Sequence, residues 1–150
     1  RIKYFGNIEN TKMILSDIGI IAEKCWLELP DHFPFVLLDE FVVMPDHIHG
    51  IIFINNFAHG IRRDVACSVS TTTNKTKINM SSIAPEQGSL SSIIRSYKSA
   101  VSKYCHSNQL RFGWQERFFD RIIRNENEFY KTKEYIFKNP MNWLADKNNN

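Results

Sequence analysis

Residues 35–54 read FVLLDEFVVMPDHIHGIIFI, and they are the most strand-like part of the chain. They are rich in β-branched and aromatic residues, which is typical of strands, and Pro45 and Asp46 interrupt them as a turn does. We therefore predict two strands, residues 35–44 and 47–54, joined at that turn. Both faces of the second strand are largely apolar, which predicts a central position in the sheet.

Two histidines, His47 and His49, begin the second predicted strand. Successive side chains of a strand point to opposite faces, so both imidazoles lie on one face and Ile48 lies on the other. Two imidazoles side by side on a rigid strand can hold one metal ion. A His-apolar-His triplet also occurs by chance in many proteins, so the triplet alone leaves both a metal site and an ordinary structural role open.

Length and composition limit the class of protein. One domain, residues 1–150, is expected, and 43% hydrophobic residues are enough for a core. Cys25, Cys67 and Cys105 form no CxxC pair and fit the free thiols of a reducing cytoplasm better than a disulfide framework. No apolar run reaches the roughly 18–20 residues that span a bilayer, and no signal peptide begins the chain, so we expect a cytoplasmic protein without a membrane partner.

The remaining segments alternate helical patterns with one further strand. Residues 4–14 have an irregular or hairpin pattern, and helices are predicted over residues 16–29, 89–106 and 125–138, the last one stopped by Pro140. Residues 114–123 have the pattern of a strand, whereas residues 55–88 are polar without an apolar period and are expected to form a flexible loop. This order favours an α+β fold with an antiparallel sheet and helices packed on one face.

The last predicted helix carries two polar residues on one face. Tyr135 and Asn139 are four residues apart, whereas Phe129 and Ile136 mark a different side that suits the core. The pair could therefore face a site while the helix stays anchored. Taken alone, the helix favours the simpler interpretation of a packing tyrosine and an asparagine that ends a helix before Pro140.

Three segments resemble the HUH single-tyrosine transposases, and specifically the REP-associated tyrosine transposases of bacteria. They are VMPDHIHG at 43–50, WQERFFDRIIRN at 114–125 and EYIFKNP at 134–140, and residues 89–103 resemble the helix before the second segment. Each motif is weak, but their order and spacing together are specific, and the likeness covers nearly the whole chain. The resemblance implies the HUH-endonuclease fold, a ferredoxin-like antiparallel sheet with helices packed on it. Relatives carry a strand ahead of the region where this chain begins, so we expect the family's first strand to be missing.

The resemblance also implies an activity, that of a metal-dependent nuclease and strand transferase acting on single-stranded DNA next to hairpins. It assigns His47, His49 and Asn139 as ligands of Mg²⁺ or Mn²⁺ and Tyr135 as the nucleophile. The ion would polarise a non-bridging phosphate oxygen, and Tyr135 would attack in line to form a 5′-phosphotyrosine. Zn²⁺ bound with Cys67 or Cys105 is a less favoured alternative. Relatives act as monomers or homodimers, and we expect a nucleoid-associated bacterial protein.

Basic side chains would hold the DNA mainly through its phosphates. The candidates are Arg62, Arg63, Arg95, Lys98, Arg117, Arg121 and Arg124, and a solvated surface is the simpler interpretation for about half of them. Two positions depart from the family pattern. Arg121 stands where many relatives have His, so a role of that position beside the metal or at the leaving group could be altered. Asp46 replaces the Asn that usually precedes the first His, and its extra carboxylate could tighten metal binding or orient an imidazole.

Two functions other than an enzyme stay open at this point. One is a non-catalytic DNA-hairpin-binding module derived from such a transposase, and the other is a structural metal-binding domain of unrelated function. Tyr97 and Tyr104 are rival nucleophiles within the enzyme hypothesis, but their place on the apolar stripe of their helix favours a role in the core.

Overall fold

The computed structural model describes residues 2–55, 88–115 and 118–143. These residues form four strands and four helices in the order β1 (Gly6–Glu9), β2 (Lys12–Leu15), α1 (Asp17–Leu27), α2 (Leu29–His32), β3 (Val36–Val43), β4 (Ile48–Ile54), α3 (Leu90–Ser107) and α4 (Glu126–Asn142). The predicted α+β class is confirmed. The predicted polar loop lies outside the described residues except at its two ends, 55 and 88. No helix in the described ranges is long and apolar enough to cross a membrane.

The strands pair as two separate antiparallel hairpins. β1 pairs with β2, which settles the open interpretation of residues 4–14 in favour of a hairpin. β3 pairs with β4 from Val36 opposite Ile54 to Val43 opposite Ile48, with a bulge between Leu38 and Phe41. Within the described residues β4 pairs with β3 alone, so the predicted central position of this strand is wrong there. Its two apolar faces have another cause, because helices cover both of them.

α1 and α3 cover one face of the β3–β4 hairpin. The ring of Trp26 in α1 stacks on Phe41 of β3 at 6.1 Å between centroids and meets Tyr97 of α3 edge-on at 5.3 Å. Tyr97 is buried, and its hydroxyl donates to the carbonyl oxygen of Ala22 at 3.1 Å. This tyrosine is therefore a core residue, as its place on the apolar stripe predicts.

α4 covers the opposite face of the same hairpin. The Phe129 ring packs against Phe53 of β4 at 5.7 Å, and Lys133 Nζ donates to Asp39 Oδ1 of β3 at 2.6 Å. Ile136 is buried. The prediction of helices on one face only is therefore wrong. Successive side chains of β4 point to opposite faces of the strand and are apolar on both faces, so a helix can pack on each face.

α4 also extends past the proline that was expected to stop it. The Asn125 side chain accepts the Glu128 N–H at 2.9 Å, so the helix begins at the predicted cap. It ends at Asn142, with Pro140 inside its last turn. The predicted stop is wrong: Pro140 costs the helix one hydrogen bond, but the helix continues to Asn142, and burial of Trp143 directly after it favours the extra turn. The extra residues bring Trp143 towards β4.

The predicted strand over residues 114–123 is absent from the part of that segment that the structure describes, 114–115 and 118–123. Trp114 is anchored by its side chain instead, since its indole N–H lies 3.0 Å from both the Lys98 carbonyl oxygen and Ser102 Oγ of α3. Its ring packs against Phe5 and Tyr97. The side chain of Trp114 therefore ties the start of this segment to α3.

Gly50 allows Trp26 to lie against β4. A β-carbon at this position would overlap the Trp26 ring, which is already packed between Phe41 and Tyr97. We expect Gly50→Ala to lower the free energy of unfolding by about 1–3 kcal/mol, as overpacking of a core does. Chemical denaturation measures the change, with Gly113→Ala as the matched control, because its nearest neighbour would be the Tyr4 hydroxyl at 3.9 Å. Equal losses in both variants would contradict this packing.

Candidate functional site

The imidazoles of His47 and His49 lie side by side at the start of β4. Their Nε2 atoms are 2.9 Å apart, and the ring planes are nearly perpendicular, at 86°. Neighbouring ligands of an octahedral ion with bonds of about 2.1 Å stand about 3.0 Å apart. The same distance suits a hydrogen bond from one ring to the other. The pair thus has the spacing of two adjacent ligands of one ion and needs no rearrangement of the strand to bind it.

The His49 ring is largely buried. Burial first, and then the neighbouring His47, lower the pKa of His49 to about 4, against the opposite effect of Asp46. At neutral pH the His49 ring is therefore uncharged. The uncharged ring is the form that binds a metal ion.

Asp46 lies directly behind His47. Its Oδ1 is 2.5 Å from His47 Nδ1, and its side chain is only 4% exposed. A carboxylate in this place accepts the Nδ1 proton, which leaves the lone pair of Nε2 on the side that faces His49. The sequence marked Asp46 as a departure from the family pattern whose carboxylate could orient an imidazole, and the structure places that carboxylate in contact with His47.

Backbone hydrogen bonds hold the turn that carries these residues. The Met44 N–H donates to the His47 carbonyl oxygen at 2.8 Å, and the Phe5 N–H donates to the Pro45 carbonyl oxygen at 3.0 Å. Gln115 Nε2 donates to the carbonyl oxygen of Asp46 at 2.9 Å. Three separate parts of the chain therefore fix the turn, and with it the direction of the two imidazoles.

Tyr135 reaches the imidazoles from α4. Its ring centroid is 5.5 Å from that of His49, at an interplanar angle of 76°. The side chain is 55% exposed, so Tyr135 is not a core residue. The phenol is therefore accessible to a large substrate, and its ring lies beside the histidine pair.

Asn139 lies one helical turn after Tyr135 and one turn before Trp143, and both of these aromatic rings lie beside the histidines. Trp143, one turn further along, is buried, and its ring is 5.9 Å from His47. Since residues four apart share one face of a helix, Asn139 lies on the face that runs along the pair from His49 to His47. Trp143 was missed because Pro140 was expected to end the helix; the spacing of Tyr135, Asn139 and Trp143 was the available signal.

Two imidazoles and one amide would be a sparse set of ligands for Mg²⁺ or Mn²⁺, which favour oxygen ligands over imidazole. Such ions keep several waters and take substrate phosphate as a ligand, so few protein ligands are needed. Among the described residues no three His, Cys, Asp or Glu side chains form a metal-binding group. Cys105 is buried in the core with α1 and α3, away from the α4 side, and Cys67 lies outside the described residues. The zinc alternative therefore loses Cys105 as a ligand.

The predicted phosphate contacts that the structure describes do not form one surface. Arg95 lines an open groove of about 700 Å³ between α1, α2 and α3, on the side of the sheet opposite α4. Lys98 rests over the Trp114 ring at 5.3 Å, and burial lowers its pKa. Neither residue lies beside Tyr135. Arg62, Arg63 and Arg117 lie outside the described residues.

Arg121 and Arg124 lie at the start of α4. Arg121 donates to Glu128 at 2.8 Å, and the Arg124 N–H donates to the same carboxylate at 3.0 Å. These hydrogen bonds, first the one from Arg124 and then that from Arg121, lower the pKa of Glu128. The Arg121 side chain stays largely exposed, so the pairing leaves it accessible to a phosphate.

One basic residue near the histidines was not identified from the sequence. Lys3 Nζ lies 6.0 Å from the centroid of the Trp143 ring, which packs against His47. Nothing in the local sequence distinguishes this lysine. Only the fold brings the start of the chain to the end of α4, where Lys3 adds positive charge beside an otherwise neutral ligand set.

A protein of Haemophilus influenzae, described only as uncharacterized, is 35% identical to this chain over 146 residues. The match covers 95% of this chain and 75% of that protein. No protein-family model matches the chain. No solved structure matches it either. The likeness therefore shows a family relationship but names no activity.

Proposed function

The chain belongs to the same family as that Haemophilus influenzae protein, and we propose that it is a metal-dependent endonuclease and strand transferase for single-stranded DNA. In this proposal it has the HUH-endonuclease fold and acts at DNA next to hairpins, as transposases of that kind do. One observation carries the proposal. The exposed Tyr135 phenol lies beside two imidazoles whose Nε2 atoms are spaced as neighbouring ligands of one ion.

Each residue of the site has a separate task. His47 and His49 would hold the ion through Nε2, and Asn139 would complete the set. Mg²⁺ or Mn²⁺, when bound, polarises a non-bridging oxygen of the scissile phosphate and offsets the charge that develops there. Tyr135 attacks phosphorus in line: its Oη–P bond forms as the bond from phosphorus to the 3′ oxygen breaks. The phenol proton is lost to solvent, and the 3′ oxygen gains one.

The step forms a 5′-phosphotyrosine ester in place of the phosphodiester bond that it breaks. A free 3′-OH can attack it later and rejoin strands, which makes the enzyme a strand transferase rather than a hydrolase. No water has to be activated, so no carboxylate general base is needed. This agrees with the position of Asp46, whose carboxylate is engaged behind His47 rather than aimed at Tyr135.

The DNA would supply much of what the site lacks. Two neutral imidazoles and an amide carry no formal charge, so phosphate provides the negative ligand field. Lys3 beside Trp143, and Arg121 and Arg124 just before α4, are basic residues that lie on the α4 side. The side chain of Phe119, 94% exposed, offers a surface on which an unpaired base can stack. We propose action on nucleoid DNA in the bacterial cytoplasm, as a monomer or homodimer.

A covalent adduct tests the proposal. Purified protein is incubated with Mg²⁺ or Mn²⁺ and a pool of single strands that carry a hairpin with randomised flanks, and the products are separated in detergent. We expect a detergent-resistant protein–DNA species that EDTA prevents. If the protein bound the strands in a salt-dependent manner and never formed that species, the non-catalytic hairpin-binding module would be the better interpretation.

A further inference from the structure

We propose that Asp46 is a positioning residue, which fixes the tautomer of His47 and so aims the Nε2 lone pair of that ring at the ion. This inference rests on the proposed metal site. It assigns a role to a residue that the resemblance leaves without one, because the usual residue at this position in the family is Asn.

One tautomer of a neutral His47 ring fits the carboxylate that lies behind it. A carboxylate accepts hydrogen bonds and has none to donate, so His47 Nδ1, at 2.5 Å from Oδ1, must carry the proton. The neutral ring then has its lone pair on Nε2. That atom is the one that lies 2.9 Å from His49 Nε2, at the place where both rings can share an ion.

An asparagine could not impose this choice. Its amide oxygen accepts from Nδ1–H, but its amide nitrogen can donate to a bare Nδ1, so both tautomers of the imidazole find a partner. The tautomer with the proton on Nε2 cannot bind the ion through that atom. A carboxylate at this position therefore removes the unproductive form and makes the imidazole a more basic ligand.

The surroundings of Asp46 fit a positioning role. Burial of a carboxylate costs free energy unless a partner compensates it, and the Asp46 side chain is almost wholly buried against His47. Its backbone is fixed as well, because Gln115 donates to its carbonyl oxygen. The carboxylate thus stays behind one ligand with little freedom to turn away. It also places a negative charge close to the ion without occupying a coordination position.

The experiment compares wild type with Asp46→Asn, which keeps the size of the side chain and removes its charge. Asp31→Asn is the matched control, since Asp31 is an exposed carboxylate in the short helix α2. Isothermal titration with Mn²⁺ alone gives the Kd, and ¹⁵N NMR of the imidazoles in metal-free protein gives the tautomer of His47. We expect the Nδ1–H form in wild type, a mixture in Asp46→Asn, and a Kd for Mn²⁺ about 10–100-fold higher in that variant. The control keeps the wild-type Kd.

Two other results would overturn the inference, and they can be told apart. If Asp46→Asn folded and bound Mn²⁺ as tightly as wild type, or if wild-type His47 carried its proton on Nε2, the positioning role would fail while the proposed function stood. If wild-type protein bound no Mn²⁺ at all, the proposed metal site would fail and this inference with it. Denaturation curves of each variant show whether a loss of binding reflects a loss of folding.

Discussion

Tyr135→Phe is expected to abolish the covalent protein–DNA adduct. The substitution removes the attacking oxygen and keeps the ring that rests beside His49, so the fold and the DNA affinity should remain. Phenylalanine has no oxygen that can bond to phosphorus, so we expect the rate of adduct formation to fall by more than about 10³-fold, to the background of the assay. Quantitative detection of the adduct in detergent gels measures the change.

Tyr130→Phe is the matched control for this substitution. Tyr130 is another exposed tyrosine of α4, at 65% exposure, and its ring packs with Phe129 rather than with the histidines. It should form the adduct at the wild-type rate. Adduct formation that survived in Tyr135→Phe, or that was lost equally in Tyr130→Phe, would show that the nucleophile lies elsewhere.

His47→Ala and His49→Ala should each remove metal-dependent activity. Each variant deletes one of the two imidazoles, and a single remaining ring with an amide is a poor site for Mg²⁺ or Mn²⁺. Since changes behind a ligand already cost 10–100-fold in metal affinity, we expect removal of a ligand to cost more than about 100-fold. Titration with Mn²⁺ measures the affinity, and adduct formation measures the consequence.

The matched control is His106→Ala, which removes an exposed imidazole from the last turn of α3. It should keep both the Mn²⁺ affinity and the adduct. The two site variants should still bind hairpin DNA, because phosphate contacts from basic residues do not depend on the imidazoles. If both site variants formed the adduct at the wild-type rate, the histidine pair would have no role in the chemistry. If they lost Mn²⁺ affinity and thermal stability together, and wild-type protein had no DNA affinity, a structural metal site would be the better interpretation.

The features that follow from local periodicity were predictable from the sequence. The strands at Val36–Val43 and Ile48–Ile54 fall within one residue of the predicted ranges, because β-branched residues and a turn at Pro45 are local signals. Strand alternation also anticipates that His47 and His49 face the same way, since it depends only on their spacing. Serine caps at the starts of α1 and α3 are local for the same reason.

The features that depend on distant contacts were not predictable in this way. An apolar strand does not say whether strands or helices will cover its two faces, so the position of α4 opposite α1 was missed. The segment that begins at Trp114 has a strand pattern, but the Trp114 indole N–H bonds to α3, and the described residues of the segment form no strand. The position of Lys3 near Trp143 requires the whole fold. The contact of Trp143 was missed because a proline is expected to end a helix, whereas α4 continues through Pro140.

Mass spectrometry of one tryptic peptide can show whether Tyr135 is the residue that becomes joined to DNA. Trypsin cleaves after Lys133 and Lys138 and releases EYIFK, in which Tyr135 is the sole side chain with a hydroxyl group. After adduct formation with Mn²⁺ and digestion of the DNA by nuclease, the proposed mechanism predicts that EYIFK carries a nucleotide linked through phosphate to Tyr135. An unmodified EYIFK peptide, with the nucleotide on a peptide that contains Tyr104 or Tyr130, would contradict it.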